Sequence, residues 1–232
     1  MNGQMAEVRL WSGERTAKEI QDNQFRRLTG TEPGLLALWN FADGTARDAS
    51  GHGRDGQLIG NARVLEERLP APGEVLTPDW VLELDGTNSY VELPPNIFSN
   101  LTEATVEGWV KWQRFEGDSR FFDFGTAWQT MTVNQAGTNG DLRLEIWEPE
   151  RKQHAFVVTN LLRMNEWAHI AAVSGPGGAK LYCNGVLVGS DPFPGSFSAV
   201  QNGEHNYLGR NNWRTELDWE RRHAAYFINL RA

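Results

Sequence analysis

Two carboxylates near the middle of the chain have a spacing that could support acid–base chemistry. The segment Glu145-Ile-Trp-Glu-Pro-Glu150 places Glu145 and Glu150 at its two ends. Retaining glycoside hydrolysis requires two carboxyl groups about 5–5.5 Å apart, one as nucleophile and one as acid/base. Strand alternation puts Glu145 and Trp147 on one face, but Pro149 interrupts the strand before Glu150. We therefore expect surface acids at a strand end and no catalytic residues.

Acidic and amide side chains also recur in loops, where they could hold a calcium ion. Calcium takes six to eight oxygen ligands, which loops between rigid strands can supply. The candidate ligands are Asp43, Asp48, Asp55, Asp85 and Asn88. The alternative is that these side chains accept hydrogen bonds from their own backbone and stabilise turns. The histidines have no spacing that suggests zinc.

Aromatic residues with polar neighbours are the candidates for ligand binding. The chain has 10 tryptophans, and carbohydrate sites combine aromatic platforms with a few polar groups. One group alternates along a predicted strand and should share its solvent face, and a second lies near the end of the chain. The six candidate residues are Arg143, Glu145 and Trp147, and Arg210, Asn211 and Trp213.

Composition limits the class of protein. The chain has 232 residues, 40% of them hydrophobic, and a formal net charge of −8. An acidic chain is unsuited to nucleic acid, and no apolar run is long enough to span a membrane. The first residues contain no apolar signal region. Cys183 is the single cysteine, and we expect both Cys183 and His169 to pack in the core.

Residues 166–190 predict a three-stranded antiparallel meander. Asn184-Gly185 lies between two β-rich runs and is a strong hairpin signal, while residues 174–178 form a turn rich in glycine. From Thr31 onward, many short strands are separated by turn residues, including a predicted hairpin of residues 81–84 and 90–93. Residues 64–79 are interpreted as a polar connection. This pattern predicts an all-β fold, a two-sheet antiparallel jelly-roll sandwich.

The first 30 residues differ from the rest. Residues 4–11 predict a strand with one irregularity near Ala6. Thr16 and Glu19 then form a capping box, and Ile20, Phe25 and Leu28 form the apolar stripe of one short N-terminal helix. We expect Gly30 to end this helix, the only one predicted in the chain.

Five segments resemble the laminin-G-like, concanavalin A-like jelly-roll family. The strongest is Glu166-Trp-Ala-His-Ile-Ala-Ala-Val173 followed by Leu181-Tyr-Cys-Asn-Gly185. The other matching segments are residues 38–56, 81–91, 104–110 and 207–210. Domains of this family usually close with a strand of the form Gly-x-x-Asp-Glu-Val-Arg-x-Trp and a short capped helix.

Residues 3–11 resemble that closing strand, although they stand at the start of the chain. The resemblance implies that residues 1–30 are the closing strand and capped helix of one tandem repeat, and that residues 31–232 are a laminin-G-like domain. We predict that the N-terminal strand completes the sandwich made by residues 34–213. The alternative is that residues 226–231 complete it, which would leave the N-terminal strand to pair with another molecule.

The resemblance also implies a class of function. The expected protein is a non-catalytic, lectin-like recognition module of a larger multidomain protein, which binds glycan or protein through its rim loops with calcium as a candidate cofactor. An extracellular or cell-surface location is the expectation for this family. The alternatives are a structural or assembly repeat and, less favoured, a glycoside hydrolase or lyase of the same fold.

Overall fold

The computed structural model describes residues 1–70 and 78–213. It consists of strands with two short helices, α1 (Ala17–Asn23) and α2 (Phe197–Val200). The strands are β1 (Asn2–Trp11), β2 (Leu35–Trp39), β3 (Gln57–Ile59), β4 (Arg63–Arg68), β5 (Pro78–Asp85), β6 (Tyr90–Leu93), β7 (Ala104–Trp112), β8 (Ser119–Thr126), β9 (Gln129–Ala136), β10 (Asp141–Glu148), β11 (Lys152–Val158), β12 (Ala168–Ser174), β13 (Ala179–Cys183), β14 (Val186–Asp191) and β15 (His205–Leu208).

These strands form two antiparallel sheets. The first has the order β14-β13-β12-β7-β1-β5-β4, with β2 paired to β1, and the second has the order β11-β10-β9-β8-β15-β6-β3. The predicted two-sheet jelly roll is thereby confirmed. The meander of β12, β13 and β14 is confirmed as well, with Ile170 opposite Cys183 and Cys183 opposite Val186.

The core fills the space between the sheets, because alternate side chains of each strand point inward. On β10 the inward residues are Leu142, Leu144 and Ile146, all buried. Their outward neighbours include Arg143 and Glu145, which lie on the other face of the second sheet, here called the outer face. Cys183 is buried, as expected, and burial raises the pKa of its thiol to about 11.

Strand β1 lies inside the first sheet, between β5 and β7. The predicted irregularity is confirmed: the register with β7 shifts between Ala6 and Arg9, where Glu7 has φ 50°. Hydrogen-bonded neighbours on both sides mean that β1 is not an open edge. The division of the chain at residue 30 stays a prediction, and residues 226–231 lie outside the described residues.

The predicted hairpin of residues 81–84 and 90–93 is wrong. Strand β5 pairs with β1 and β4 in the first sheet, whereas β6 pairs with β3 and β15 in the second. The turn after Asp85 therefore carries the chain from one sheet to the other. The predicted connection over residues 64–79 also contains a strand, since β4 pairs with β5.

Helix α1 begins as predicted and ends early. The Thr16–Glu19 capping box is present, but the helix ends at Asn23 instead of reaching Gly30. Tertiary contacts explain the difference, because the backbone carbonyls that follow bond to the sheet. Arg9 donates to the carbonyls of Asn23 and Arg26, and the Trp109 indole donates to the carbonyl of Gln24 at 2.8 Å. The four-residue helix α2 was not predicted from the sequence.

A buried charged cluster of Glu7, Arg9, Glu107 and His169 lies beneath this N-terminal segment. Arg9 is fully buried and pairs with Glu7 at 2.9 Å and with Glu107 at 3.5 Å. His169 is buried as expected, but neither ring nitrogen has a hydrogen-bond partner among the residues that the structure describes. Its Nε2 lies 3.9 Å from Glu107. Burial, reinforced by the Arg9 charge and opposed by Glu107, lowers the pKa of His169 to about 4.

This depressed pKa predicts that stability falls on acidification. The unfolded chain binds the proton near pH 6.5 and the folded chain only near pH 4, so the loss occurs as the pH falls through that window. Between pH 7 and 4.5 we expect the wild type to lose about 2–3 kcal/mol more than His169→Phe. Urea unfolding at both pH values measures this difference, and equal losses in the two proteins would contradict it.

Candidate functional site

A polar cleft of about 430 Å³ opens at one end of the second sheet. Three chain segments line it together with Met1: residues 86–90 between the sheets, residues 116–120 leading into β8, and residues 209–211 after β15. The cleft is therefore formed by two loops and by the residues that follow one strand, and these segments are distant in sequence. It contains one aromatic side chain, Tyr90, among amide, hydroxyl and charged groups.

The first loop is shaped by Asp85. The carboxylate Oδ1 accepts hydrogen bonds from the backbone N–H groups of Thr87, Asn88 and Ser89, and from the Ser89 hydroxyl. The Asn61 side chain donates to Oδ2 at 2.8 Å. These bonds, the Ser89 hydroxyl first, hold the pKa of Asp85 well below its usual range. Asn88 and Tyr90 are thus presented on a rigid turn.

A row of alternating charges crosses the outer face next to the second loop. Arg120 pairs with Asp123 at 3.2 Å and with Asp118 at 3.8 Å. Arg143 pairs with Glu145 at 3.1 Å and also contacts the Asp118 carboxylate. Arg120 and Asp123 are almost completely buried. Each guanidinium in this row therefore has carboxylate partners, which fix loop 116–120 against the sheet.

The third segment turns back over the sheet after β15. The Gly209 amide donates to the Phe121 carbonyl at 3.1 Å, and the Asn212 side chain donates to the backbone and side-chain oxygens of Asp123. Arg210 lies between these anchors. Its guanidinium stacks over the Tyr90 ring at 4.5 Å and over the Tyr207 ring at 4.9 Å.

A tryptophan cluster of Trp128, Trp147 and Trp213 lies further along the outer face. The Trp147 and Trp213 rings are 5.4 Å apart, and Trp128 contacts both, at 5.2 and 4.2 Å. Arg151 stacks over Trp128 at 4.7 Å. The three half-buried rings pack edge to face. They form a compact aromatic cluster and not a flat aromatic surface open to a ligand.

The structure divides the six predicted ligand-binding residues among three places. Arg210 and Asn211 line the cleft, whereas Trp147 and Trp213 meet in the tryptophan cluster. Arg143 and Glu145 lie in the charged row of the outer face. Ligand binding by all six stays a prediction.

Sequence reasoning missed several residues of the cleft and of its support. They are Tyr90, Asp118, Ser119, Arg120 and Asp123. Tyr90 was assigned to a hairpin, and Ser119 and Arg120 are the first residues of β8. Charge is the sequence signal that could have identified these residues, because Asp118, Arg120 and Asp123 lie around the apolar residues Phe121, Phe122 and Phe124.

The predicted calcium ligands take part in turns. Asp43 accepts hydrogen bonds from Thr45, and Asp48 accepts from the backbone of Leu38 and Arg54. Asp55 accepts from the Asp48 amide at 2.9 Å. Within residues 1–70 and 78–213, no group of three or more His, Cys, Asp or Glu side chains could hold a metal ion. These contacts support the turn-stabilising alternative, and calcium binding stays a prediction.

The two carboxylates considered for hydrolysis have different surroundings. Glu145 is 5% exposed and its Oε1 contacts Arg143 and the Gln153 amide. Glu150 is exposed in the 3₁₀ turn after Pro149, with φ 63°. The expectation of a surface acid is therefore wrong for Glu145, which is buried in an ion pair on the sheet. Glu150 projects from a turn beyond the strand, as expected.

Among the described residues, no helix has the length and apolar character needed to cross a membrane. Curated protein sequences give no significant match to the chain.

Solved structures show the same fold at low sequence identity. Domain 4 of AbnA, a GH43 extracellular arabinanase from Geobacillus stearothermophilus solved in complex with arabinotriose, is 21% identical with a TM-score of 0.53. The alignment covers 77% of this chain and 84% of that one. A botulinum neurotoxin type C structure, described as dependent on two ganglioside molecules for cell entry, is 14% identical with a TM-score of 0.50.

The alignment with the toxin covers 83% of this chain and 44% of the toxin chain, so the protein spans less than half of that relative. A laminin-G family model, described as the concanavalin A-like lectin/glucanases superfamily, matches residues 85–220. This match extends over more than half of the sequence and includes residues 86–90, 116–120 and 209–211, the three segments that line the cleft. The chain therefore belongs to the concanavalin A-like lectin/glucanases superfamily.

Proposed function

We propose that this protein is a non-catalytic recognition module of a larger multidomain protein, and that it binds a glycan in the cleft. The observation that carries the proposal is the cleft itself, with a volume of about 430 Å³ and a mostly polar lining that includes Tyr90, Asn88 and Arg210. Saccharides are bound by directional hydrogen bonds beside an aromatic ring, and these residue types supply both.

The rigidity of the cleft supports this proposal. Asp85 fixes the first loop, Arg120 fixes the second, and Asn212 fixes the third. A site that is ordered before it binds loses less conformational entropy on binding. The described relatives add weaker support, because one was solved with arabinotriose and the other depends on gangliosides.

The proposal also includes a calcium site and a location for the protein. Calcium would bind at the acidic turns around Asp43, Asp48, Asp85 and Asn88, and the module would act outside the cell or at its surface. A protein ligand at the same rim is the other kind of partner that the fold accommodates. Nucleic acid and membrane insertion are not part of the proposal.

The structural-repeat alternative makes a different prediction about assembly. Strand exchange through β1 would require it to leave β5 and β7, which bond to its two edges. Exchange would instead use an outer strand of a sheet, such as β14 or β4. A protein that assembles in this way and binds no saccharide would support the alternative.

A glycan array with and without a calcium chelator tests the proposal. We expect binding to a defined saccharide class, reduced at least tenfold in Tyr90→Ala because the ring supplies the apolar wall of the cleft. Phe25→Ala is the matched control, since Phe25 is 42% exposed on the side of the first sheet. Absence of binding in both conditions would refute the lectin-like function, and loss of binding on chelation would support the calcium site.

A further inference from the structure

Arg210 is a cation in the cleft that has no anionic partner among the described residues. Arg120 and Arg143, which lie on the same side of the second sheet, each pair with carboxylates. Within residues 1–70 and 78–213, no carboxylate forms a salt bridge with Arg210, whose contacts are the faces of Tyr90 and Tyr207. The two rings meet edge to face and hold the guanidinium between them, and no described residue accepts a hydrogen bond from its N–H groups.

Ser119 is a second unsatisfied group in the same lining. It is 8% exposed, and its buried hydroxyl oxygen has no hydrogen-bond partner within residues 1–70 and 78–213. A buried hydroxyl without a partner carries a desolvation cost, which a ligand atom can relieve. Ser119 and Arg210 therefore both offer a donor to an acceptor atom in the cleft.

The charges around the cleft favour an acceptor with a single negative charge. Glu116 and Asp118 lie in the same lining, although Arg114 is near Glu116 at 3.8 Å and Asp118 contacts Arg143. The whole chain carries a formal net charge of −8. A densely charged sulfated or phosphorylated polymer would be repelled by these acids, whereas one carboxylate can be balanced by one guanidinium.

We propose that the cleft takes a saccharide with a carboxylate, of the uronic acid class. The sugar carboxylate accepts hydrogen bonds from the Arg210 guanidinium and the Ser119 hydroxyl. The hydroxyl groups of the sugar form hydrogen bonds with neighbouring polar residues of the lining, including Asn88. This inference rests on the proposed function, since it names the substrate class of the same cleft.

The test compares an otherwise neutral trisaccharide that carries one galacturonate residue with the same trisaccharide after reduction of that carboxyl group, by calorimetric titration at low salt. We expect the acidic sugar to bind about tenfold to a hundredfold more tightly, because hydrogen bonds to charged groups are stronger than neutral ones. Arg210→Gln should abolish this difference. Arg151→Gln is the matched control, since Arg151 also stacks on an aromatic ring but lies outside the cleft. Ser119→Ala should weaken only the binding of the acidic sugar.

The possible failures are distinguishable. Equal affinity for both trisaccharides, unchanged in Arg210→Gln, would overturn the carboxylate inference and leave glycan recognition intact. Tighter binding of a sulfated trisaccharide than of the trisaccharide with one galacturonate would also overturn it. If the glycan array and both titrations show no binding, the proposed function itself fails. Thermal unfolding of each variant establishes that loss of binding is not loss of folding.

Discussion

Replacement of Arg9 by alanine is expected to lower the free energy of unfolding by about 3–5 kcal/mol. The Arg9 side chain is fully buried, and it compensates the charges of Glu7 and Glu107. Its loss would leave these two carboxylates without their cation in a low-dielectric site. Burial already raises the pKa of Glu7 in the presence of Arg9, so the cost of ionising this group is high.

Denaturation in urea, followed by circular dichroism, measures this effect. Arg63→Ala is the control, because the Arg63 side chain is 70% exposed in its ion pair with Glu83, and such pairs contribute little. Replacement of both carboxylates, Glu7→Gln and Glu107→Gln, in the Arg9→Ala background should recover part of the loss. A loss below about 1 kcal/mol for Arg9→Ala would show that the buried cluster does not hold the N-terminal segment on the first sheet.

Replacement of Asp123 by alanine is expected to affect both stability and the cleft. Asp123 is fully buried; it pairs with Arg120 and accepts hydrogen bonds from Thr130 and Asn212. Removing it leaves the Arg120 guanidinium with only the more distant Asp118 carboxylate, at 3.8 Å, which should cost about 3–5 kcal/mol. It also removes the two hydrogen bonds from Asn212 to the carboxylate, which weakens the anchor of residues 209–213 and so the positioning of Arg210.

The stability effect of Asp123→Ala is measured by urea denaturation, and the positioning effect by the affinity for the saccharide selected on the array. Asp141→Ala is a suitable comparison, because Asp141 lies on β10 and accepts from the amide of Asn160 at the surface. We expect Asp141→Ala to retain affinity. Full affinity in a folded Asp123→Ala protein would show that the cleft does not need this anchor.

The sequence predicted those elements whose signals are local. Asn184-Gly185 identifies a tight turn whatever the tertiary context, and the Thr16 capping box depends only on neighbouring residues. Alternation along β10 correctly separated the inward residues from Arg143, Glu145 and Trp147, because the period of a strand is two.

The errors came from features set by distant residues. Asp85 would accept the same backbone hydrogen bonds if β6 paired with β5 in a hairpin or if it crossed to the other sheet. The sequence of this turn therefore does not indicate that the chain passes from one sheet to the other. Helix α1 ends early because Arg9 and Trp109 bond to the carbonyls that follow it. The cleft could not be derived either, since it unites three segments that only the sheet topology brings together.

The central claim is that a saccharide binds in the cleft, and amide chemical shifts of the ¹⁵N-labelled protein test it most directly. The array-selected saccharide is titrated into the protein, and the residues whose signals move are mapped. We predict the largest changes in residues 86–90, 116–120 and 209–211, with small changes at Trp128 and Trp147. Changes confined to the tryptophan cluster, or to the face of the first sheet that carries α1, would contradict the account.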